Sequence, residues 1–135
     1  MIYDAPAIVA LAKACAPEIA TEALVPLVMT ESGGDALRIN VNKGPRVRAR
    51  SVAEGAAIVR RYIAAGYTVD VGLAQINSAN FRALGTDVES VFEPCFNLGL
   101  ASTILQRSYD IATRSYDGID AISATYSLYN TGTLT

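Results

Sequence analysis

Histidine is absent from this 135-residue chain, and cysteine appears only twice, at Cys15 and Cys95. Without histidine, no Ser-His-Asp or Cys-His catalytic arrangement is available. Two cysteines alone cannot assemble a zinc-type cluster, so no metal site is expected. Long hydrophobic runs are also missing: the longest, Ala23–Met29, falls well short of the ~20 apolar residues that span a bilayer. The N-terminus has no basic n-region and Asp4 interrupts it, so neither a signal peptide nor membrane insertion is read from it.

What is present describes a well-packed globular chain. Apolar residues make up 51% of it and the mean hydropathy is +0.28, which predicts one domain over residues 1–135 around a single core. The net charge of −2 conceals an asymmetry. Arg38, Lys43, Arg46, Arg48, Arg50, Arg60 and Arg61 account for seven of the eleven basic residues, and only Glu54 opposes them there. Such a patch suits a solvated loop and helix face, an anionic polymer or a partner protein. It offers a single aromatic, Tyr62, for base stacking, so nucleic acid is not expected as a partner. The two cysteines read either as a disulfide or as small buried apolar residues.

Helical signals dominate the pattern. Asp4 predicts an N-cap for a helix to about Ala14, and Thr21 the cap of a second helix running to Ser32. Pro26 should kink that helix or push its start later, and Gly33–Gly34 supply its left-handed stop. Residues 35–50 show no clear period and read as a loop. Ser51-Val-Ala-Glu54 is a capping box for a helix to about Ala65, and Thr86-Asp-Val-Glu89 is a second one. Between them, residues 68–77 predict one or two short strands. Asn77 or Ser78 should then cap a short helix ended by Gly85. Further helices are expected from Asn97 to about Arg114 and from about Ile119 to Tyr129. The expected fold class is α+β, mainly α, with a small β element between helices.

The carboxylates are the main candidates for acid–base chemistry. Glu31 follows the apolar stretch LVPLVM and directly precedes the Gly33–Gly34 stop. Burial against apolar side chains and the negative end of a helix dipole both raise a carboxyl pKa. The placement is poor for stability and suited to a general acid that must stay protonated. The bland alternative is a partly exposed glutamate at a helix end.

Three short segments in order change that balance: Glu31-Ser32-Gly33-Gly34, Gly72-Leu-Ala-Gln-Ile-Asn77 and Tyr129-Asn-Thr-Gly132. Together with Cys15-Ala-Pro17, Asp70 and Glu93-Pro-Cys-Phe-Asn-Leu98, this set resembles the lytic transglycosylases of the lysozyme-like superfamily. The likeness is to the small subgroup that accompanies bacterial type IV secretion and conjugation, and it covers nearly the whole chain. The resemblance implies a lysozyme-like fold and an enzyme that opens peptidoglycan locally for a secretion apparatus. Glu31 matches the sole catalytic acid/base, and Ser32 a residue supporting sugar binding beside it. Gln75, Asn77 and Asn130 match residues lining the glycan cleft, and Tyr129 the tyrosine that hydrogen-bonds the glutamate. Cys15 and Cys95 match paired positions, which implies a disulfide between them.

The implied reaction cleaves the bond between N-acetylmuramic acid and N-acetylglucosamine, forming a 1,6-anhydro sugar with no metal or cofactor. A periplasmic or exported monomer is expected, acting on glycan strands, with type IV secretion components as possible partners. Two rivals remain. One is a hydrolytic muramidase using Asp70, or less readily Asp35, as second carboxylate. The other is a noncatalytic glycan-binding assembly factor that docks through its basic patch. The chain also departs from the family pattern. Ala74 replaces a methionine, which implies a thinner apolar wall at the sugar site. Ser108 and Leu128 stand where part of the subgroup carries a second cysteine pair. The sequence stops three residues after Gly132, short of a segment that usually covers one end of the cleft, so a domain truncated at its C-terminus is expected.

Overall fold

The computed structural model describes residues 1–130, with Asn130 described by its backbone alone. Helix α1 (Ala5–Cys15) begins where expected, because the Asp4 side chain accepts from the backbone N–H of Ala7 at 3.0 Å. Helix α2 (Thr21–Ser32) differs from expectation at its start. Its N-cap is Ala20, which offers no side-chain acceptor, and Thr21 is already helical. Pro26 does not push the start later. Its missing N–H forfeits one intrahelical bond, while Leu24, Leu27 and Val28 bury the helix against the core. Gly33, at φ 64°, closes it in the left-handed conformation.

The expected loop after α2 contains a short strand, β1 (Ile39–Val41). Three residues are too few for alternation to register in the sequence, so this element was not predictable by period. Helix α3 (Val52–Ala64) starts at Ser51, whose hydroxyl accepts from the Glu54 N–H at 3.1 Å. Strands β2 (Val69–Val71) and β3 (Ile76–Asn77) follow as expected. Asn77 then caps a single 3₁₀ turn (Ser78–Asn80) leading into α4 (Phe81–Leu84), which Gly85 ends. Helix α5 (Val88–Val91) is capped by Asp87 through the Ser90 N–H at 2.8 Å, not by Thr86. Helix α6 (Pro94–Ala112) starts three residues before Asn97. The Glu93 carboxylate accepts from the N–H groups of Cys95 and Phe96, and Pro94 has the fixed φ suited to a first helical position. Helix α7 (Gly118–Asn130) is the last described element.

Helix α6 is the structural centre, with α1 and α7 packed on it and Leu98, Ala101, Ile104 and Leu105 buried in the core. The antiparallel sheet has the order β1-β2-β3. Its inner face is Ile39, Val41, Val69, Val71 and Ile76, all buried. Its outer face aligns Asn40, Asp70 and Asn77 as direct cross-strand partners. A Cys15–Cys95 disulfide ties the end of α1 to the first turn of α6, with a Cα–Cα distance of 5.2 Å. Among the described residues no helix is long and apolar enough to cross a membrane, and no group of side chains fits a metal ion.

Candidate active site

Glu31 occupies the last turn of α2, half-buried. Its pKa is raised, first by burial and then by the negative charge of Asp70. The dipole at this helix end acts in the same direction. Among the described residues its carboxyl group has no hydrogen-bond partner.

Asp70 sits at the centre of the outer face of the sheet. Its Oδ1 accepts from Asn77 Nδ2 at 2.8 Å and its Oδ2 from Asn40 Nδ2 at 3.2 Å. Both oxygens are therefore held, and the carboxylate is a fixed negative charge facing Glu31. Asn77 serves twice, because its Oδ1 also accepts from the Ala79 N–H at 2.9 Å as the cap of the 3₁₀ turn. The weaker candidate, Asp35, accepts from the Leu37 N–H at 3.0 Å in the turn after α2.

The segment from Gly72 to Asn77 is held by hydrogen bonds with Arg38, Asn97 and Tyr129. Gly72 has φ 79°, and a Cβ there would lie 2.4 Å from Asn97 Nδ2, so only glycine fits. Gln75 adopts φ 53°, and its amide nitrogen donates to the carbonyls of Gly72 (2.9 Å) and Arg38 (3.1 Å). Its side chain therefore props the turn. Ala74 is fully buried. Its peptide is clamped at both ends: Asn97 Oδ1 accepts from its N–H at 2.8 Å, and the Tyr129 hydroxyl donates to its carbonyl at 2.7 Å.

That last contact differs from the hydrogen bond to Glu31 expected of Tyr129. The phenol is buried and must donate to an acceptor, and the Ala74 carbonyl supplies one. Tyr129 nonetheless borders the site. Its pKa is pushed up by burial and then by the charges of Glu31 and Asp70. Ser32 is likewise turned to backbone: its hydroxyl donates to the Val28 carbonyl (3.2 Å) and accepts from the Gly34 N–H (3.1 Å), securing the helix end that carries Glu31. The side chain of Asn130, and Thr131 and Gly132 beyond it, lie outside the described residues.

Two residues with no assigned role in the sequence reading prove central. Asn40 completes the hold on Asp70. Asn97, fully buried, donates to the carbonyls of Val71 (3.0 Å) and Val91 (2.8 Å) besides accepting from Ala74. The signal for Asn97 was its place in Glu93-Pro-Cys-Phe-Asn-Leu98. For Asn40 the sequence carries no comparable signal, since it lies in a three-residue strand. Asn97→Asp keeps the shape and the acceptor but loses both donors and buries a charge. Stability should fall by roughly 2–4 kcal/mol, seen as a lower urea midpoint; an unchanged midpoint would show that the turn stands without it.

Residues 9–135 match the family described as Transglycosylase SLT domain. The chain belongs to that family. Among relatives of this SLT domain, "Protein virB1" of Agrobacterium fabrum (strain C58 / ATCC 33970) is 32% identical over 125 residues, covering 92% of this chain and 51% of that protein. "Type IV secretion system protein virB1" of Brucella abortus biovar 1 (strain 9-941) is 33% identical over 128 residues, covering 93% and 54%. The chain thus spans about half the length of the curated relatives it matches. No solved structure matches it. The SLT fold agrees with the α+β, mainly α architecture expected from the sequence.

Proposed function

We propose that this SLT domain, residues 1–135, is a peptidoglycan lytic transglycosylase that opens the cell wall locally for a type IV secretion or conjugation apparatus. It works as a periplasmic or exported monomer. The observation that carries the reading is Glu31: a half-buried carboxyl at a helix end, with its pKa raised by burial and by Asp70.

Glu31 donates its proton to the glycosidic oxygen as the bond to muramoyl C1 breaks, and the N-acetylglucosamine side leaves as an alcohol. The resulting carboxylate then takes the proton from the muramoyl C6 hydroxyl while that oxygen bonds to C1. The product is a 1,6-anhydro ring, the proton returns to Glu31, and no water is consumed. One carboxyl group serves both steps, in place of the two of most glycosidases. Asp70, held by Asn40 and Asn77, supports the first step by keeping Glu31 protonated. Gln75, Asn77, Tyr129 and Asn130 belong to the glycan-binding side of this proposal, and Ser32 supports it through the helix end.

Mass spectrometry of fragments released from purified peptidoglycan tests the assignment. Anhydro-muramoyl ends, lighter by one water than hydrolysed ends, are expected; reducing muramoyl ends would make the domain a muramidase.

Asp70→Asn separates the electrostatic role from that of a second catalytic carboxylate. A general acid works while protonated, so the alkaline limb of kcat/KM against pH follows the Glu31 pKa. Removing the Asp70 charge lowers that pKa and should move the limb to lower pH. Burial, the larger cause, remains, so the limb should stay above that of an ordinary glutamate. Activity at the optimum should fall modestly and the product should stay anhydro. An unmoved limb would remove Asp70 from this role.

A further inference from the structure

The basic segment around β1 has no function in the chemistry just described. Between Asp35 and Glu54 the chain carries five cations, Arg38, Lys43, Arg46, Arg48 and Arg50, and no acidic residue. Arg50 is paired with Glu54 at 3.3 Å. Farther along, Arg60 pairs with Glu89, and Arg61 lies over the Tyr62 ring. Arg38, Lys43, Arg46 and Arg48 are different: all four are exposed, and among the described residues none forms an ion pair.

Their position in the fold is specific. Arg38 immediately precedes β1, and its carbonyl receives the N–H of Gly72 (2.8 Å) and the amide of Gln75. Lys43 follows β1 in a turn at φ 59°. The strand between them is an edge of the sheet and supplies Asn40 to the row that holds Asp70. Its polar face runs on through Asn42, which bonds Asn40 Nδ2 and the Thr68 hydroxyl. Arg38 and Lys43 therefore flank the strand that supplies Asn40 to the row around Asp70, and Arg46 and Arg48 follow Lys43 in the same exposed segment. They do not tune the acid, since Asp70 is the charged group that acts on it.

Guanidinium and ammonium groups with no internal partner call for anions, and Arg matches a carboxylate with two parallel hydrogen bonds. The sugar rings of a peptidoglycan strand are neutral; its anionic groups are the carboxylates of the peptide stems. We propose that Lys43, Arg46 and Arg48, with Arg38 at the near end, bind stem carboxylates. The domain would then recognise strands that still carry their peptides. This inference rests on the reading of the domain as a peptidoglycan transglycosylase.

The test compares soluble stem-bearing strands with the same strands after conversion of their carboxylates to methylamides. The protein is used unaltered and as the triple variant Lys43→Gln, Arg46→Gln, Arg48→Gln. Three exposed ion pairs together should be worth about tenfold in kcat/KM at low salt, with the difference shrinking as salt rises. The unaltered protein should lose that factor on methylamidated strands. The variant should lose it on native strands and should lose nothing more when the strands are also neutralised. Independent, additive losses would place the cations on the sugars, and an unaffected variant would leave the patch to a protein partner; either overturns the proposal. Binding of both substrates by the Glu31→Gln form, with and without the triple change, supplies a readout independent of cleavage. Charge-dependent binding without any cleavage by the unaltered protein would sink the transglycosylase reading and leave stem recognition standing.

Discussion

Glu31→Gln is expected to abolish glycan cleavage while leaving the fold at least as stable. General acid–base assistance contributes about 10²–10⁴-fold per proton transfer, and here one group performs two, so kcat should fall by at least about a thousandfold. The amide keeps the size and shape of the side chain, so strands should still bind. Stability should move the other way. The carboxyl pKa is raised in the folded state, so its contribution is fully present below the unfolded value and is lost as pH rises through the folded one. Burial and the Asp70 charge both act against the ionised carboxyl in the folded state, and the neutral glutamine does not carry that cost. The variant should therefore melt slightly higher than the parent at pH 7, with the advantage vanishing near pH 4. Cleavage that survives the substitution would reduce Glu31 to a structural helix end.

Replacing both Cys15 and Cys95 by serine should give the largest loss of stability. The bond closes a separation of 80 residues, and releasing a loop of that size costs about 4–5 kcal/mol in the chain-entropy model. That is a large part of the ~5–15 kcal/mol by which a domain is stable. The loss should also reach the site. Cys95 lies in the first turn of α6, two residues before Asn97, which grips the Gly72–Asn77 segment from the same turn. Activity should consequently decline at a lower temperature than in the parent, ahead of global unfolding. Urea unfolding with and without reductant measures the first effect, and activity against temperature the second. Two free thiols in protein oxidised without denaturant, or an unshifted midpoint in the variant, would refute the account.

Ser108 Oγ is buried without a hydrogen-bond partner among the described residues, and the family resemblance implies a cysteine as the alternative at this position. A sulfur would tolerate that apolar setting better than a hydroxyl does.

Much of the architecture was legible because its signals are local. Asp4, Ser51 and Asn77 are side-chain caps acting on backbone groups two or three residues away, and Gly33 and Gly85 stop helices by their own φ. Errors arose where two local signals competed. Asp87 took the cap that Thr86 was assigned, and Glu93 with Pro94 began α6 earlier than the apolar pattern indicated. Strand β1 escaped notice because three residues carry no period.

By itself the sequence determined which side chains are lacking for histidine- and metal-based chemistry, where Glu31 sits along its helix and the order of the segments that carry the family resemblance. The meeting of side chains was decided only by the tertiary structure. Asp70 lies between Asn40 and Asn77 because two strand registers align three residues spread over the chain. Tyr129 reaches the Ala74 carbonyl across 55 residues, and Asn97 closes its bonds across intervals of 6 to 26. A buried polar atom takes whichever partner packing brings within hydrogen-bond distance. Residue type states that a partner is needed, and only the packing of distant segments states which one it is.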